Sequence, residues 1–104
     1  MSKPDGVLSL LGIAAKGRNL VSGEFAVEKA VKERKAFLVI VANEASDNTK
    51  KKFRNMCEFY KVPIAEYGTK DSLGHAIGKE ERSSIGITDQ GLSNGILKLI
   101  ENGK

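Results

Sequence analysis

Phe37-Leu38-Val39-Ile40-Val41-Ala42 is an unbroken apolar run with three β-branched residues at its centre. It is too short for a buried helix and too rich in Val and Ile for a surface loop. It reads as a strand buried on both faces, as in parallel sheets covered by helices. A strand of that kind needs a helical layer above and below, so the flanking segments decide the fold.

Towards the N-terminus, Ser22 is a candidate N-cap for a helix over Gly23–Lys35. Ala26, Val27, Ala30 and Val31 follow the helical period, and Lys29, Lys32, Glu33 and Lys35 fall on the wet side. Leu20-Val21 is a strand stub. Asp5–Ala15 is a further helix, with Gly17 as its stop. Towards the C-terminus, Ser46 opens a helix that runs to Tyr60. Phe53, Met56, Cys57 and Tyr60 make one stripe along it at i, i+3, i+4 and i+7. Val62–Tyr67 is a strand with Pro63 near its start, which suits a sheet edge. Lys70–Gly78 is a short helix, Ser84–Thr88 a strand, and Asp89–Asn102 the closing helix.

Strands separated by helices require crossover connections. The expected fold is α/β, a three-layer α/β/α sandwich around a small four-stranded mixed sheet, in one domain over residues 1–104. A chain of 104 residues is the right size for a single core.

Composition narrows the function. Lys and Arg total 17 against 13 Asp and Glu, a net charge of +4, which suits a polyanionic partner such as nucleic acid. Cys57 is the only cysteine, so no intramolecular disulfide forms and a reducing cytoplasm is expected. No apolar run approaches the ~20 residues of a membrane span. Gly6–Ala15 lacks the basic front and small-residue cleavage site of a secretory signal, and reads as a helix of the mature chain. One His and one Cys cannot make a zinc site by themselves. No nucleophile elbow, Walker loop or dinucleotide fingerprint is present. The expectation is no metal, no cofactor and no catalysis. With no Trp and few aromatics, no large stacking platform is expected either.

Two loops carry the candidate binding residues. Lys16, Arg18, Asn19, Ser22, Gly23 and Glu24 lead into a helix start, where free amides suit a phosphate or a polar base edge. Glu24 is an acceptor for amino or imino groups of a base. The same residues also fit a plain structural role, with Ser22 capping, Gly23 turning and Glu24 complementing the helix dipole. The second loop, Leu73–Arg82, offers Lys79 and Arg82 to phosphates. It too fits an ordinary helix-to-strand connection. Lys50-Lys51-Lys52 is the densest basic run, and its residues point in different directions, as on a solvated face. His75 is read as structural and Cys57 as an inert core thiol.

At these loops the chain resembles the RNA-binding ribosomal proteins of the "L-seven-Ae / L-thirty-e" family, in particular its bacterial YlxQ-type branch. The marks are Gly17, Gly23-Glu24, the apolar run closing on Asn43, Asn48-Thr49-Lys50-Lys51-Lys52, Val62-Pro63, and Leu73–Lys79 with Arg82. The resemblance implies the same α/β/α sandwich, and RNA as the partner. It implies recognition of kink-turn RNA, with an Asn-Glu pair at the second helix start on guanine edges and a Lys one turn later. Gly23 stands where strong binders carry Asn, and Val27 where they carry Lys. The second loop, Lys79-Glu80-Glu81-Arg82-Ser83, is more polar than theirs. If both helical positions face the RNA, Gly23→Asn with Val27→Lys should sharpen the preference for kink-turns.

The expected protein is therefore a non-catalytic, monomeric, cytoplasmic RNA binder of the ribosome or translation machinery. Its RNA site comprises Lys16, Arg18, Asn19, Ser22, Gly23, Glu24, Lys79 and Arg82. The competing expectation is a protein-interaction module on the same fold, its RNA site decayed.

Overall fold

The computed structural model describes residues 5–103, so the two ends of the expected 1–104 domain, residues 1–4 and 104, lie outside the described residues. In chain order the elements are α1 (Gly6–Lys16), β1 (Leu20–Ser22), α2 (Glu24–Lys32), β2 (Leu38–Val41), α3 (Asp47–Tyr60), β3 (Ile64–Glu66), α4 (Lys70–Ala76), β4 (Ser84–Ile87) and α5 (Gln90–Asn102).

β2 sits inside the sheet, whose order is β1-β4-β2-β3. It pairs parallel with β3 and antiparallel with β4, and β4 pairs antiparallel with β1, so the sheet is mixed. Every residue of β2 and β4 is buried, which is why both read as apolar or small. β3 lies at the edge, where the missing N–H of Pro63 costs no ladder bond. α2 packs with α3, and α1 packs with α4 and α5. The two helix groups enclose the sheet as a three-layer α/β/α sandwich. Phe53, Cys57, Val27, Val31, Leu11, Ile96 and the sheet residues form one core. Burial pushes the Cys57 thiol up to about 11, consistent with an inert core group.

Several boundaries differ from the expectation, each for a local reason. Phe37 is 38% exposed, because it precedes β2 and only its N–H reaches the sheet, at the Ile87 carbonyl (2.7 Å). α2 stops at Lys32, three residues early, where Arg34 turns left-handed at φ +60°. α4 stops at Ala76, ahead of Gly78 at φ +75°. Ser22 does not cap α2. The cap is Gly23, and it makes no side-chain hydrogen bond. Ser46, by contrast, caps α3 as expected, accepting from the Thr49 N–H at 3.1 Å.

Candidate nucleic-acid interface

The sheet has two polar ends, and strand register sorts the candidate residues between them. Ser22 faces Ile85 across the β1–β4 ladder, and the Gly23 N–H donates to the Ser84 carbonyl at 3.1 Å. That end therefore carries Ser22, Gly23, Glu24 and the loop arriving at Ser84, which brings Lys79 and Arg82. Leu20 faces Ile87 at the other end, where the Asn19 carbonyl accepts from the Thr88 N–H at 2.8 Å. Lys16, Arg18 and Asn19 belong to that second end. The length of β1 separates the groups by roughly 10 Å at ~3.3 Å per residue. Eight residues expected around one site thus fall into a cluster of five and a cluster of three.

The five-residue end is braced by Arg82. Its Nε donates to Ser22 Oγ at 3.1 Å, and Nη1 donates to the Glu81 carbonyl at 2.9 Å. The Arg82 N–H donates to the Lys70 carbonyl at 3.0 Å. So Arg82 first ties the 79–83 loop to β1 and α4, and offers only its remaining guanidinium N–H groups outward. Lys79 is exposed, its backbone N–H held by the Gly74 carbonyl at 2.8 Å.

Gly74 makes that approach possible. A methyl group on it would run into the Glu80 carbonyl. Gly74→Ala is therefore expected to destabilise the fold by about 1–3 kcal/mol, the usual cost of overpacking, and to displace Glu80–Arg82. Thermal denaturation measures the first effect, and amide chemical shifts of residues 79–83 the second. A variant with wild-type stability and shifts would mean the loop is not seated on Gly74.

At the start of α2, Gly23 has φ +94° and ψ 149°, a region open only to glycine. Nothing lies within 4 Å of where its side chain would be. The Val27 N–H reaches the Gly23 carbonyl, and no side chain among the described residues caps the first-turn amides. Amides left over at a helix start suit an acceptor-rich ligand.

Lys52 belongs to this end, contrary to the expectation of a plain solvated face. Its Nζ lies 2.9 Å from Glu24 Oε2 and 2.7 Å from Glu28 Oε1, bridging α3 to α2. Glu28 also holds Lys32 at 2.9 Å. Lys52 and then Lys32 keep the Glu28 carboxyl down to about 2. Glu24 is held through one oxygen, leaving Oε1 without a protein partner among the described residues. Lys50 turns away to Glu66, 3.4 Å off. No signal in the sequence ties Lys52 to Glu24, because the pair is made by helix packing across 28 residues. Val27 is fully buried and faces the core, not the ligand side.

Polar groups gather at this end of the sheet, and among the described residues no group of three or more His, Cys, Asp or Glu is placed to hold a metal ion. The chain belongs to the ribosomal protein L7Ae/L30e/S12e/Gadd45 family, whose model matches residues 5–97. It is similar to the RNA-binding protein YlxQ of Bacillus subtilis (strain 168), at 41% identity over 92 residues, 88% of this chain and 92% of that protein. The RNA-binding protein YlxQ of Enterococcus faecium is 36% identical over 94 residues, covering 90% of each. Among solved structures, a Bacillus halodurans protein described as of unknown function superposes with a TM-score of 0.92 at 43% identity, over 94% of this chain and 99% of that one. The Giardia lamblia 15.5kD RNA binding protein superposes with a TM-score of 0.78 at 26% identity, over 92% and 82%. Membership of this family makes the chain non-catalytic. No helix among the described residues is long and apolar enough to cross a membrane.

Proposed function

We propose that the chain binds structured RNA at the sheet end that carries Gly23, Glu24, Lys79 and Arg82. The observation that carries this reading is the Arg82–Ser22 hydrogen bond, which fixes the 79–83 loop beside the uncapped start of α2. The names of the Bacillus, Enterococcus and Giardia relatives support RNA as the ligand. In this reading the open Oε1 of Glu24 accepts from a base edge, and the first-turn amides of α2 and Lys79 meet phosphates. Arg82 holds the two loops together and gives its spare N–H groups to the backbone. Lys16, Arg18 and Asn19 contact only RNA long enough to reach the far end of β1. The finer proposal is a kink-turn, or a similar internal loop of ribosomal RNA, bound by a monomer in the cytoplasm as part of the translation machinery.

Titrating a kink-turn hairpin and an uninterrupted duplex at several salt concentrations tests this. The hairpin is expected to bind more tightly. Glu24→Ala should remove most of that preference, about 1–3 kcal/mol by analogy with base readout in DNA. Lys79→Ala should flatten the salt slope by up to about one unit, and Arg18→Ala by less. Lys52→Ala leaves Glu24 and Glu28 without their shared cation and should weaken binding, whereas Lys51→Ala should not. Equal binding of both RNAs, unmoved by Glu24→Ala, would defeat the kink-turn reading.

A further inference from the structure

Phe25 is 81% exposed, the most exposed of the large apolar side chains among the described residues. It stands in the first turn of α2, two residues after the open backbone of Gly23. Burial is the ordinary fate of such a ring, yet among the described residues this one belongs neither to the core nor to an aromatic pair. With Glu28, Lys29, Lys32 and Glu33 it lines a cleft of about 280 Å³. Lys29 follows one turn later on the same helix face. The charges in this cleft are unequal in their commitments. Glu28 is taken up by Lys52 and Lys32. Glu33 lies 3.4 Å from Lys35. Lys29 has no ion pair among the described residues. The cleft therefore presents a bare aromatic face next to an uncommitted cation. An apolar protein side chain would meet a charged rim there. A nucleotide matches both parts, its base on the ring and its phosphate on the ammonium.

We infer that Phe25 is a stacking platform for one unpaired base of the bound RNA, with Lys29 on an adjoining phosphate. The inference rests on the RNA-binding reading above and deepens it, because a ring at this place requires a base turned out of its helix. One exposed phenylalanine supplies what the low aromatic content argued against.

The test uses Phe25→Ala and Phe25→Trp against two probes, a hairpin whose kink-turn loop holds an unpaired nucleotide and an uninterrupted duplex. The chain has no tryptophan, so Phe25→Trp adds a single fluorescent reporter. Phe25→Ala is expected to weaken hairpin binding about 5- to 150-fold, the range for losing one base–aromatic stack, and to leave duplex binding and the melting temperature unchanged. Phe25→Trp should retain the affinity, and the hairpin should quench its emission while the duplex does not. If the wild type prefers the hairpin and Phe25→Ala binds it equally well, the stacking inference falls and the RNA reading stands. An unquenched Phe25→Trp that still binds the hairpin has the same consequence. A wild type that binds neither probe overturns both.

Discussion

Replacing Phe53 by Ala is expected to cost about 3–5 kcal/mol, the range for removing a fully buried aromatic side chain. Phe53 is 0% exposed and lies in the middle of α3, among the largest of the fully buried side chains. Its removal takes apolar area out of the core and leaves a cavity between α3 and the sheet that the surrounding strands cannot easily close. Domains of this size are stable by only about 5–15 kcal/mol, so the variant should be marginal at 37 °C. Phe59 lies on the same helix, six residues on, and is 75% exposed. Phe59→Ala should change stability by no more than about 0.5 kcal/mol. Urea denaturation followed by circular dichroism measures both. Similar losses for the two variants would mean that α3 presents a different face to the sheet.

The inward face of Phe53 was legible in the sequence, because the 3.6-residue period of α3 sets it on one stripe with Met56, Cys57 and Tyr60 without any knowledge of the sheet. β2 was legible for the same kind of reason, since an apolar run of its length has few other uses. Apart from element ends set by local turns, such as the left-handed Arg34 after α2, the departures concern relations between segments. Lys16 to Glu24 look like one loop when read in order, yet β1 runs through the middle and carries its two halves to opposite ends of the sheet. Ser22 has the right residue type for a cap, but its hydroxyl is used by Arg82, sixty residues away in sequence. Lys52 reads as one member of a solvated basic run until helix packing places it on Glu24 and Glu28. Local chemistry foretells helices, strands and their buried faces. Which loop ends share a surface depends on topology, which no local pattern carries.

Val27→Lys is where the demands of the family's RNA site and of this fold collide. The resemblance places a lysine of the strong binders at this position. In this chain Val27 is 0% exposed, with its methyls against β4, 3.5 and 3.8 Å from where a Gly86 side chain would begin. A lysine there cannot reach solvent without opening the core, and a fully buried lysine has its pKa lowered to about 5–6. Losing the proton at pH 7 from an unfolded-state pKa of ~10.4 costs about 4–5 kcal/mol, before any misfit of the longer chain. The sign follows directly: the unfolded state binds a proton that the folded state does not, so stability rises with pH. The deficit should shrink by about 1.4 kcal/mol per unit between pH 7 and pH 9. Gly23→Asn offers no rescue, because φ +94° with ψ 149° is closed to asparagine at a further cost of about 1–3 kcal/mol. The double substitution is therefore expected to unfold the protein rather than sharpen its preference for kink-turns. Urea midpoints of Val27→Lys at pH 7 and pH 9 decide the point. A variant as stable as wild type at both would put residue 27 on the surface, and would return it to the RNA-facing side of α2. If it is destabilised as expected, the cation for that side of the helix has to come from Lys29, which already stands exposed one turn beyond Phe25.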